Sequence, residues 1–396
     1  MMQIFFLESF QWSGIGEHDD ELIKFQIRCF GAKFEIQYTL QNLSLSPNLL
    51  EQYQSSLAIM RACEVGDNRD GDKAFEEILR LKKPFEELII ELAPNPPPSC
   101  NQLSDYLYPP FLILEAKAAA QDSTIIQPHF KGQLPRQIRF PAGEYISPPL
   151  DWLNLVKSST SQQIQLVPSP DLEQHPCLRG PGKVIAEDGA LCYYKELPSL
   201  SAVAEAKSWI HIQIPAAIEA KKLRSDIRIC RLHSVVVDDD REVLQHWYSA
   251  TEKDLVDEWR GDISDDWTPE EYADPNFDIR RVVGILLHYI DSKGTLEQIV
   301  PWSDCLDEHR HRWAIELEDL VGELHAAGLV WGDAKPHNVL VDRDDKLWLI
   351  DLEGGYTLGW VDEANKNSQE GDLQGVKRIK EWLAKWSKKS IDRIVH

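Results

Sequence analysis

The stretch LHAAGLVWGDAKPHNVLVDRDDKLWLIDLEGG, residues 324–355, decides the fold of the C-terminal part of the chain. The amphipathic pattern over 308–327 predicts a long helix, and Gly328 is a typical residue at which a helix ends. Two apolar segments follow, at 329–340 and 347–350, and each is predicted to form a strand. Polar side chains are therefore expected on loops that flank two short strands.

Four of those side chains have the chemistry that phosphoryl transfer requires: Asp333, Lys335, Asn338 and Asp351. The reaction needs neutralisation of the triphosphate charge and alignment of an acceptor hydroxyl. Asp351 and Asn338 are predicted Mg²⁺ ligands, because both offer hard oxygen atoms. Asp333 is predicted to orient the hydroxyl and take its proton, and Lys335 to place positive charge near the γ-phosphate. The alternative is that all four are ordinary polar residues of turns.

Residues 331–338 resemble the catalytic loop of protein kinases, which reads H-R-D-x-x-x-x-N and is followed by two strands and D-F-G. Asp333, Asn338 and Asp351 stand at the corresponding polar positions. The run V-W-G-D-A-K-P-x-N and a later G-W-V-D motif are also similar to those of a group of fungal kinase-like proteins. The resemblance covers residues 177–396 and implies a protein-kinase-like fold that uses ATP and Mg²⁺.

The same resemblance implies nucleotide-binding roles for residues upstream of this loop. Lys195 ends a predicted strand, where the kinase lysine that holds the α- and β-phosphates belongs; an exposed strand-end lysine is the alternative. Glu205 is the preferred partner of this lysine, and Glu219 is the other candidate; a solvated glutamate without this role is the alternative. Gly180 and Gly182 form either a glycine turn whose amides cover the phosphates or a simple turn.

Three departures from the kinase pattern have consequences. Trp331-Gly332 replaces His-Arg, so the arginine that binds a phosphorylated activation loop is missing, and Glu353 replaces the glycine of D-F-G. Only 45 residues follow Asp351, so a reduced C-terminal lobe is expected. Asp372 is expected either to support the catalytic loop or to cap the last helix.

The predicted fold class is α+β: a bilobal protein-kinase-like part, with a small β-rich lobe and a reduced helical C-terminal lobe, follows an α+β N-terminal domain. In the N-terminal domain, alternation predicts a hairpin over 22–40, and a helical pattern covers 72–92 with a break at Pro84. A stretch rich in Ser, Gln and Pro is interpreted as a linker. The expected boundaries are 1–156 for the N-terminal domain, 157–176 for the linker, 177–300 for the small lobe and 301–396 for the C-terminal lobe.

The charge of the chain, −23 at pH 7, is concentrated in one predicted insertion of the small lobe. Residues 238–278 contain fifteen acidic and three basic residues. A solvated face is the preferred interpretation, and the alternatives are a cover for the lobe or a contact with a basic partner. The acidity argues against nucleic acid or an anionic membrane as a partner, because phosphate groups attract clustered Lys and Arg.

The N-terminal sequence and the spacing of the cysteines indicate the expected location of the protein. The N-terminus has no basic region before its short apolar run, and no apolar stretch in the sequence is long enough to span a bilayer. The seven cysteines are scattered without C-x-x-C spacing, which is typical of reduced thiols. A cytoplasmic or nuclear protein is therefore expected.

The leading hypothesis is an ATP- and Mg²⁺-dependent phosphotransferase that acts on Ser or Thr hydroxyls of proteins, because Lys335-Pro336 matches the serine/threonine kinases. A small-molecule kinase similar to the aminoglycoside and choline kinases is the second hypothesis, favoured by the reduced C-terminal lobe. A pseudokinase that serves as an interaction scaffold is the third, favoured by Glu353, by the small number of glycines around 180–182 and by the acidic insertion. The acceptor is thus a protein or small-molecule hydroxyl in the two enzyme hypotheses.

Overall fold

The structure, a computed structural model, describes residues 6–13, 22–65, 69–93, 100–121, 124–134, 144–145, 156–167, 182–196, 213–239, 280–301, 307–352 and 354–394. The strands are β1 (Phe6–Ser13), β2 (Leu22–Cys29), β3 (Ala32–Thr39), β4 (Phe111–Ala118), β5 (Ile126–Leu134), β6 (Glu144–Tyr145), β7 (Ser158–Ser159), β8 (Gln165–Leu166), β9 (Lys183–Ile185), β10 (Leu191–Glu196), β11 (Leu232–Asp239), β12 (Arg280–His288), β13 (Ser292–Thr295), β14 (Val339–Asp342) and β15 (Leu347–Leu349). The helices are α1 (Leu40–Leu43), α2 (Pro47–Val65), α3 (Arg69–Lys82), α4 (Glu86–Leu92), α5 (Leu103–Leu107), α6 (213–219), α7 (Leu296–Ile299), α8 (Asp307–Ala326) and α9 (Gln369–Ile394).

The chain divides into two units, each described by itself. Unit 1 comprises Met1–Pro141, Thr160–Glu187 and Asp239–Arg280. Unit 2 comprises Ala142–Ser159, Asp188–Asp238 and Arg281–His396. All the described residues from the loop 331–338 onward therefore belong to unit 2.

Unit 1 is built on a five-stranded sheet in the order β1-β2-β3-β4-β5. Neighbouring strands are antiparallel except β3 and β4, which are parallel. The hairpin predicted over 22–40 is confirmed, with Leu22 opposite Thr39. It turns at Phe30 and Gly31, whose φ angles of 46° and 77° give the left-handed backbone that tight hairpin turns require.

The core of unit 1 forms where alternate strand residues pack against α2, α3 and α4. Tyr38 is central to it: its ring stacks on Tyr53 with centroids 6.2 Å apart, and its hydroxyl donates to the Leu81 carbonyl at 2.6 Å. The break predicted at Pro84 is confirmed by a 3₁₀ turn, Lys83–Phe85, between α3 and α4. Proline interrupts the helix there because it has no N–H for the helical hydrogen bonds.

Lys195 lies on β10, which belongs to a sheet of unit 2 with the strand order β7-β11-β12-β10. β6 also pairs with β12. β10 and β12 are antiparallel, with Lys195 opposite Ile285. Tyr194 fixes this pairing, because its hydroxyl donates to the Val283 carbonyl at 2.7 Å. Its ring covers Gly284, where a Cβ would lie 2.4 Å from Tyr194 Cε2, so only glycine fits at that position.

Helix α8 and the sheet β13-β14-β15 complete the core of unit 2. One face of α8 is apolar and buried, at a spacing of three or four residues: Trp313, Leu317, Leu320, Val321 and Leu324. The helix end predicted at Gly328 is confirmed by its φ of 81° and by the bond from its N–H to the His325 carbonyl at 2.9 Å. The predicted last helix is present as α9.

The fold class is mixed α+β with several sheets. The predicted domain boundaries remain predictions, and residues 240–278 of the predicted acidic insertion lie outside the described residues. Of the helices that the structure describes, none has the length and apolar character needed to cross a membrane.

Candidate active site

The hairpin of β14 and β15 places Asn338 and Asp351 at the same end. Asn338 directly precedes β14, and Asp351 follows β15 by two residues. The Ile350 N–H donates to the Asn338 carbonyl at 3.1 Å, one step beyond the Val339–Leu349 pair. Asp351 has a φ of 59°, a left-handed conformation that costs a non-glycine residue on the order of 1 kcal/mol. The strand register thus places Asn338 and Asp351, which each carry a side-chain oxygen, at the same end of the hairpin.

Asp333 is buried, with only 5% of its surface exposed. Its Oδ2 accepts hydrogen bonds from Lys335 Nζ at 2.6 Å, Thr357 Oγ1 at 3.1 Å and Asn338 Nδ2 at 3.4 Å. Its Oδ1 is also buried and has no hydrogen-bond partner in the described part of the chain. Because a buried carboxylate oxygen without a donor is costly, this atom is suited to accept a hydrogen bond from a bound molecule.

Thr357 completes a cluster with Asp333 and Lys335. Lys335 Nζ donates to Thr357 Oγ1 at 2.9 Å in addition to its contact with Asp333. Asn338 Nδ2 donates to the Asp333 backbone carbonyl at 2.9 Å, so the carboxylate and its backbone are both held. Sequence reasoning missed Thr357, because it lies 24 residues after Asp333 in a loop and belongs to no motif of fixed spacing.

Gly332, the residue directly before Asp333, is required for steric reasons. Its φ is 98°, and a Cβ on it would lie 2.5 Å from Gly354 Cα. A Cβ on Gly354 would in turn lie 2.5 Å from Asn367 Oδ1, which accepts the Gly355 N–H at 2.7 Å. The backbone that follows Asp351 therefore packs directly on the backbone of the loop 331–338.

Asp372, in the first turn of α9, is fully buried beside this loop. Its carboxylate oxygens accept the Trp331 N–H and the Gly332 N–H, both at 2.7 Å. His325 Nε2 lies 2.9 Å from the same carboxylate. The first turn of α9 is capped by Ser368 instead, whose Oγ accepts a backbone N–H at 3.0 Å. Of the two expectations for Asp372, the structure thus shows the contact with the loop.

Asp362, in the G-W-V-D motif, ties the segment 354–368 to α9. Its carboxylate accepts from Gln374 Nε2 at 2.6 Å and from Arg378 Nη2 at 3.0 Å. These hydrogen bonds, that of Gln374 first, hold the pKa of Asp362 below its ordinary value. Trp360 adds an edge contact with Trp382, with ring centroids 6.1 Å apart. These contacts anchor the segment that carries Thr357 to α9.

Lys195 reaches the hairpin from β10. Its Nζ donates to Asp351 Oδ1 at 2.5 Å, across 156 residues of sequence. The two side chains are 30% and 37% exposed, so a ligand can approach both. Lys195 is therefore in contact with Asp351. Ile350, the residue before Asp351, is hydrogen-bonded to Asn338, which in turn contacts Asp333.

The other predicted nucleotide-binding residues are not brought to this cluster by any contact of the described residues. Glu205 and Gly180 lie outside the described residues. Gly182 directly precedes β9 in unit 1, and Glu219 is exposed on α6 in unit 2. The roles assigned to these four residues remain predictions.

The donor atoms at the hairpin end are the kind that Mg²⁺ prefers. Asn338 supplies an amide oxygen and Asp351 a carboxylate. In the described part of the chain, no three His, Cys, Asp or Glu side chains are grouped so that they would hold a metal ion by themselves. Magnesium in phosphotransferases is held by one or two protein groups together with phosphate oxygens, so two donors fit a nucleotide-dependent site.

Comparison with known proteins agrees with this chemistry. The family model of the lipopolysaccharide kinase (Kdo/WaaP) family matches residues 279–396. The matched range includes Asp333, Asn338, Asp351 and Asp372 but not Lys195. A search of curated proteins found no match. The C-terminal part of the chain is thus similar to a kinase family, which supports a phosphotransferase enzyme.

Proposed function

We propose that this protein transfers the γ-phosphoryl group of ATP to a hydroxyl of a saccharide-containing acceptor. One observation carries the proposal: Asp333 is buried, three donors fix its Oδ2, and its Oδ1 has no partner among the described residues. A carboxylate held in this way is prepared to accept the hydrogen of one more hydroxyl.

The proposed reaction is an in-line displacement at the γ-phosphorus. The acceptor oxygen forms a bond to phosphorus, and the bond from phosphorus to the β–γ bridging oxygen breaks. ADP leaves with that electron pair, and the hydroxyl proton passes to Asp333 Oδ1. Lys335, which lies 2.6 Å from Oδ2, supplies positive charge beside the transferred group.

Nucleotide and metal are assigned to the Lys195 side of the cluster. Lys195 would bind the α- and β-phosphates, and Asn338 and Asp351 would supply oxygen ligands to Mg²⁺. The ion, when bound, neutralises the charge of the triphosphate. The 2.5 Å contact between Lys195 Nζ and Asp351 Oδ1 supports the assignment. It places the lysine proposed to bind phosphate beside the carboxylate proposed to bind the metal.

The acceptor class rests on the family comparison. The matching family is described as lipopolysaccharide kinases, which suggests that the acceptor of this chain also carries a sugar hydroxyl. A protein Ser or Thr hydroxyl is the second candidate, motivated by Lys335-Pro336 at the kinase positions. The likeness to fungal kinase-like proteins stays a prediction and does not choose between the two.

The test is transfer of labelled phosphate from γ-labelled ATP by the purified chain with Mg²⁺. Acceptors are offered in two panels, one of mono- and oligosaccharides and glycolipids, the other of generic protein substrates. Asp333→Asn removes the proposed base, and Asp344→Asn makes the same change at an exposed turn of the hairpin. We expect transfer to the saccharide panel, its loss in Asp333→Asn and its retention in Asp344→Asn.

Three outcomes would contradict parts of the proposal. Equal transfer by wild type and Asp333→Asn contradicts the assignment of the base. Transfer confined to the protein panel contradicts the acceptor class and supports the second candidate. Binding of ATP without transfer to any acceptor supports a pseudokinase instead.

A further inference from the structure

A cavity of about 350 Å³ lies in unit 2, between α6, the start of β11 and the end of β12. Its apolar wall consists of Ile214 and Ile218 of α6 and Leu232 of β11. Ile214 is buried, and the other two side chains are partly buried against the core of unit 2. Binding sites for small molecules usually have volumes of about 300–1,000 Å³ and mostly apolar walls, so the cavity has the size and character of such a site.

Two basic side chains, Arg231 and His288, line the same cavity. The His288 N–H donates to the Arg231 carbonyl at 2.9 Å, which holds the two residues side by side. Arg231 Nη2 donates to the carbonyls of Ser225 at 2.5 Å and Ile227 at 3.2 Å, and both acceptors are neutral. Glu219 also lines the cavity, but in the described part of the chain no carboxylate forms an ion pair with Arg231 or His288. The charge of Arg231 is therefore available to a bound anion.

The charged groups around His288 also favour an anion at this position. Partial burial, followed by the positive charges of His233 and Arg231, holds the pKa of His288 below its ordinary value of 6.5. Asp188 acts in the opposite direction, but its carboxylate already accepts from Lys157 at 2.6 Å and lies 3.0 Å from His233 Nε2. An anion beside Arg231 and His288 offsets this repulsion and favours the protonated imidazole.

We infer that this cavity binds a small amphipathic anion, whose hydrocarbon chain lies against the apolar wall and whose carboxylate or phosphate group lies at Arg231 and His288. Removal of the chain from water favours its binding in the cavity. A guanidinium donates charge-assisted hydrogen bonds to carboxylate and phosphate oxygens, and these are stronger than bonds between neutral groups. The proposed phosphoryl transfer uses neither Arg231 nor His288, so the inference goes beyond the proposed function and does not depend on it.

The experiment is isothermal titration calorimetry of the full chain at pH 6.5, without nucleotide, with four probes. Octanoate and octyl phosphate carry both a hydrocarbon chain and an anionic group, octan-1-ol lacks the charge, and acetate lacks the chain. We expect the two amphipathic anions to bind, and the tighter of them identifies the preferred anionic group. Octan-1-ol should bind at least about tenfold more weakly, because it loses the charge-assisted bonds. Acetate should bind at least about a hundredfold more weakly than octanoate.

Two variants place the binding in this cavity. Ile218→Trp fills part of the cavity and should weaken octanoate and octan-1-ol alike by at least about tenfold. Ile315→Trp is the matched control, because Ile315 is half exposed on α8 and does not line the cavity, and it should bind both probes as wild type does. His288→Asn should weaken octanoate by about tenfold and leave octan-1-ol unchanged. Thermal melts check that each variant is folded.

Nuclear magnetic resonance supplies a second readout, since the pKa of His288 should rise when octanoate saturates the wild-type chain. Four results would overturn the inference. They are no binding of either amphipathic anion by wild type, equal affinities for octanoate and octan-1-ol, equal octanoate affinities of Ile218→Trp and Ile315→Trp, and a His288 pKa that octanoate does not change. None of these measurements requires ATP, so failure of the proposed phosphoryl transfer leaves the test intact.

Discussion

Glu35 in unit 1 and Asp333 in unit 2 are both buried carboxylates, with 1% and 5% of their surfaces exposed. Each oxygen of Glu35 accepts a hydrogen bond from an amide: Oε1 from Gln37 at 2.8 Å and Oε2 from Gln26 at 3.3 Å. Asp333 instead has three donors on one oxygen and none, among the described residues, on the other. The difference separates a carboxylate whose bonds serve the fold from one that keeps an acceptor available for a ligand.

The backbones around the two carboxylates also differ: one is a regular strand and the other is a tightly packed loop. Glu35 lies in β3, whose pairing with β2 runs without interruption from Leu22–Thr39 to Cys29–Ala32. Asp333 lies in a loop that depends on close backbone contact at Gly332, near a left-handed Asp351. Strained backbone of this kind persists where the surrounding structure holds it, and it is concentrated at functional sites.

The largest expected effect comes from neutralising each carboxylate in turn. Asp333→Asn should lower the rate of phosphate transfer by about a thousandfold, because it removes the proposed base. Glu35→Gln makes the same change in unit 1 and should leave transfer within about twofold of wild type. The measurement is the initial rate with the acceptor found in the panel, with thermal melts to confirm folding. Equal losses of transfer rate in both variants would contradict the distinction between the two carboxylates.

A methyl group at Gly332 should have the next largest effect. In Gly332→Ala the Cβ meets Gly354 Cα at 2.5 Å, so the loop must shift, and a shift of about 1 Å costs about 100-fold in rate. Gly328→Ala is the matched control, because φ is also positive, at 81°, but nothing lies within 4 Å of a Cβ. It should lower stability by about 1 kcal/mol and leave the rate nearly unchanged. Similar rates for the two variants would show that the Gly332–Gly354 contact is not needed.

Removal of Asp372 should act mainly on stability. Asp372→Ala leaves the Trp331 and Gly332 N–H groups buried without acceptors, which costs roughly 2–4 kcal/mol. The free energy of unfolding in urea measures this loss, and Asp344→Ala in the exposed hairpin turn is the control. If Asp372→Ala and the control have the same free energy of unfolding, the two short hydrogen bonds contribute little to the stability of the loop.

The smallest expected effect is the pH dependence contributed by Asp362. Its pKa in the folded protein lies below the ordinary 3.8, so it binds fewer protons when folded than when unfolded. Its contribution to stability is therefore complete above about pH 5 and is lost as the pH falls below 3.8 towards the folded value. The difference in unfolding free energy between wild type and Asp362→Asn should be constant from pH 5 to 8 and shrink below pH 4. A difference that grows in acid would contradict the contacts with Gln374 and Arg378.

Much of the local structure was predictable from the sequence because it depends on regular periods. Alternation located the hairpin of β2 and β3, and the buried face of α8 and its end at Gly328 followed the helical period. The Ser/Gln-rich stretch expected to be a linker nevertheless contains β7 and β8. Composition does not show pairing: Ser159 is buried because β7 pairs with β11, and its hydroxyl lies 3.1 Å from that of Ser234.

The candidate site was predictable only in part, for a related reason. The hairpin that separates Asn338 from Asp351 was predicted from the apolar periods on either side of its turn, whereas the roles assigned to these residues and to Asp333 remain predictions. Thr357 and the Gly332–Gly354 contact arise from the path of a loop, which no spacing determines. Asp372 was left with two alternatives, since only the three-dimensional position of α9 shows that its carboxylate faces the loop.

We propose that Lys195, Asn338 and Asp351 form one nucleotide–metal site. Its most direct test is the shift in melting temperature caused by ATP, with and without Mg²⁺, for wild type, Asp351→Asn and the control Asp344→Asn. At 100 times the dissociation constant a ligand stabilises the folded state by about 2.7 kcal/mol, so we expect a rise of several degrees that requires Mg²⁺ in wild type and control. Asp351→Asn should lose most of that rise. An equal rise in all three proteins, or no rise in wild type, would contradict the claim.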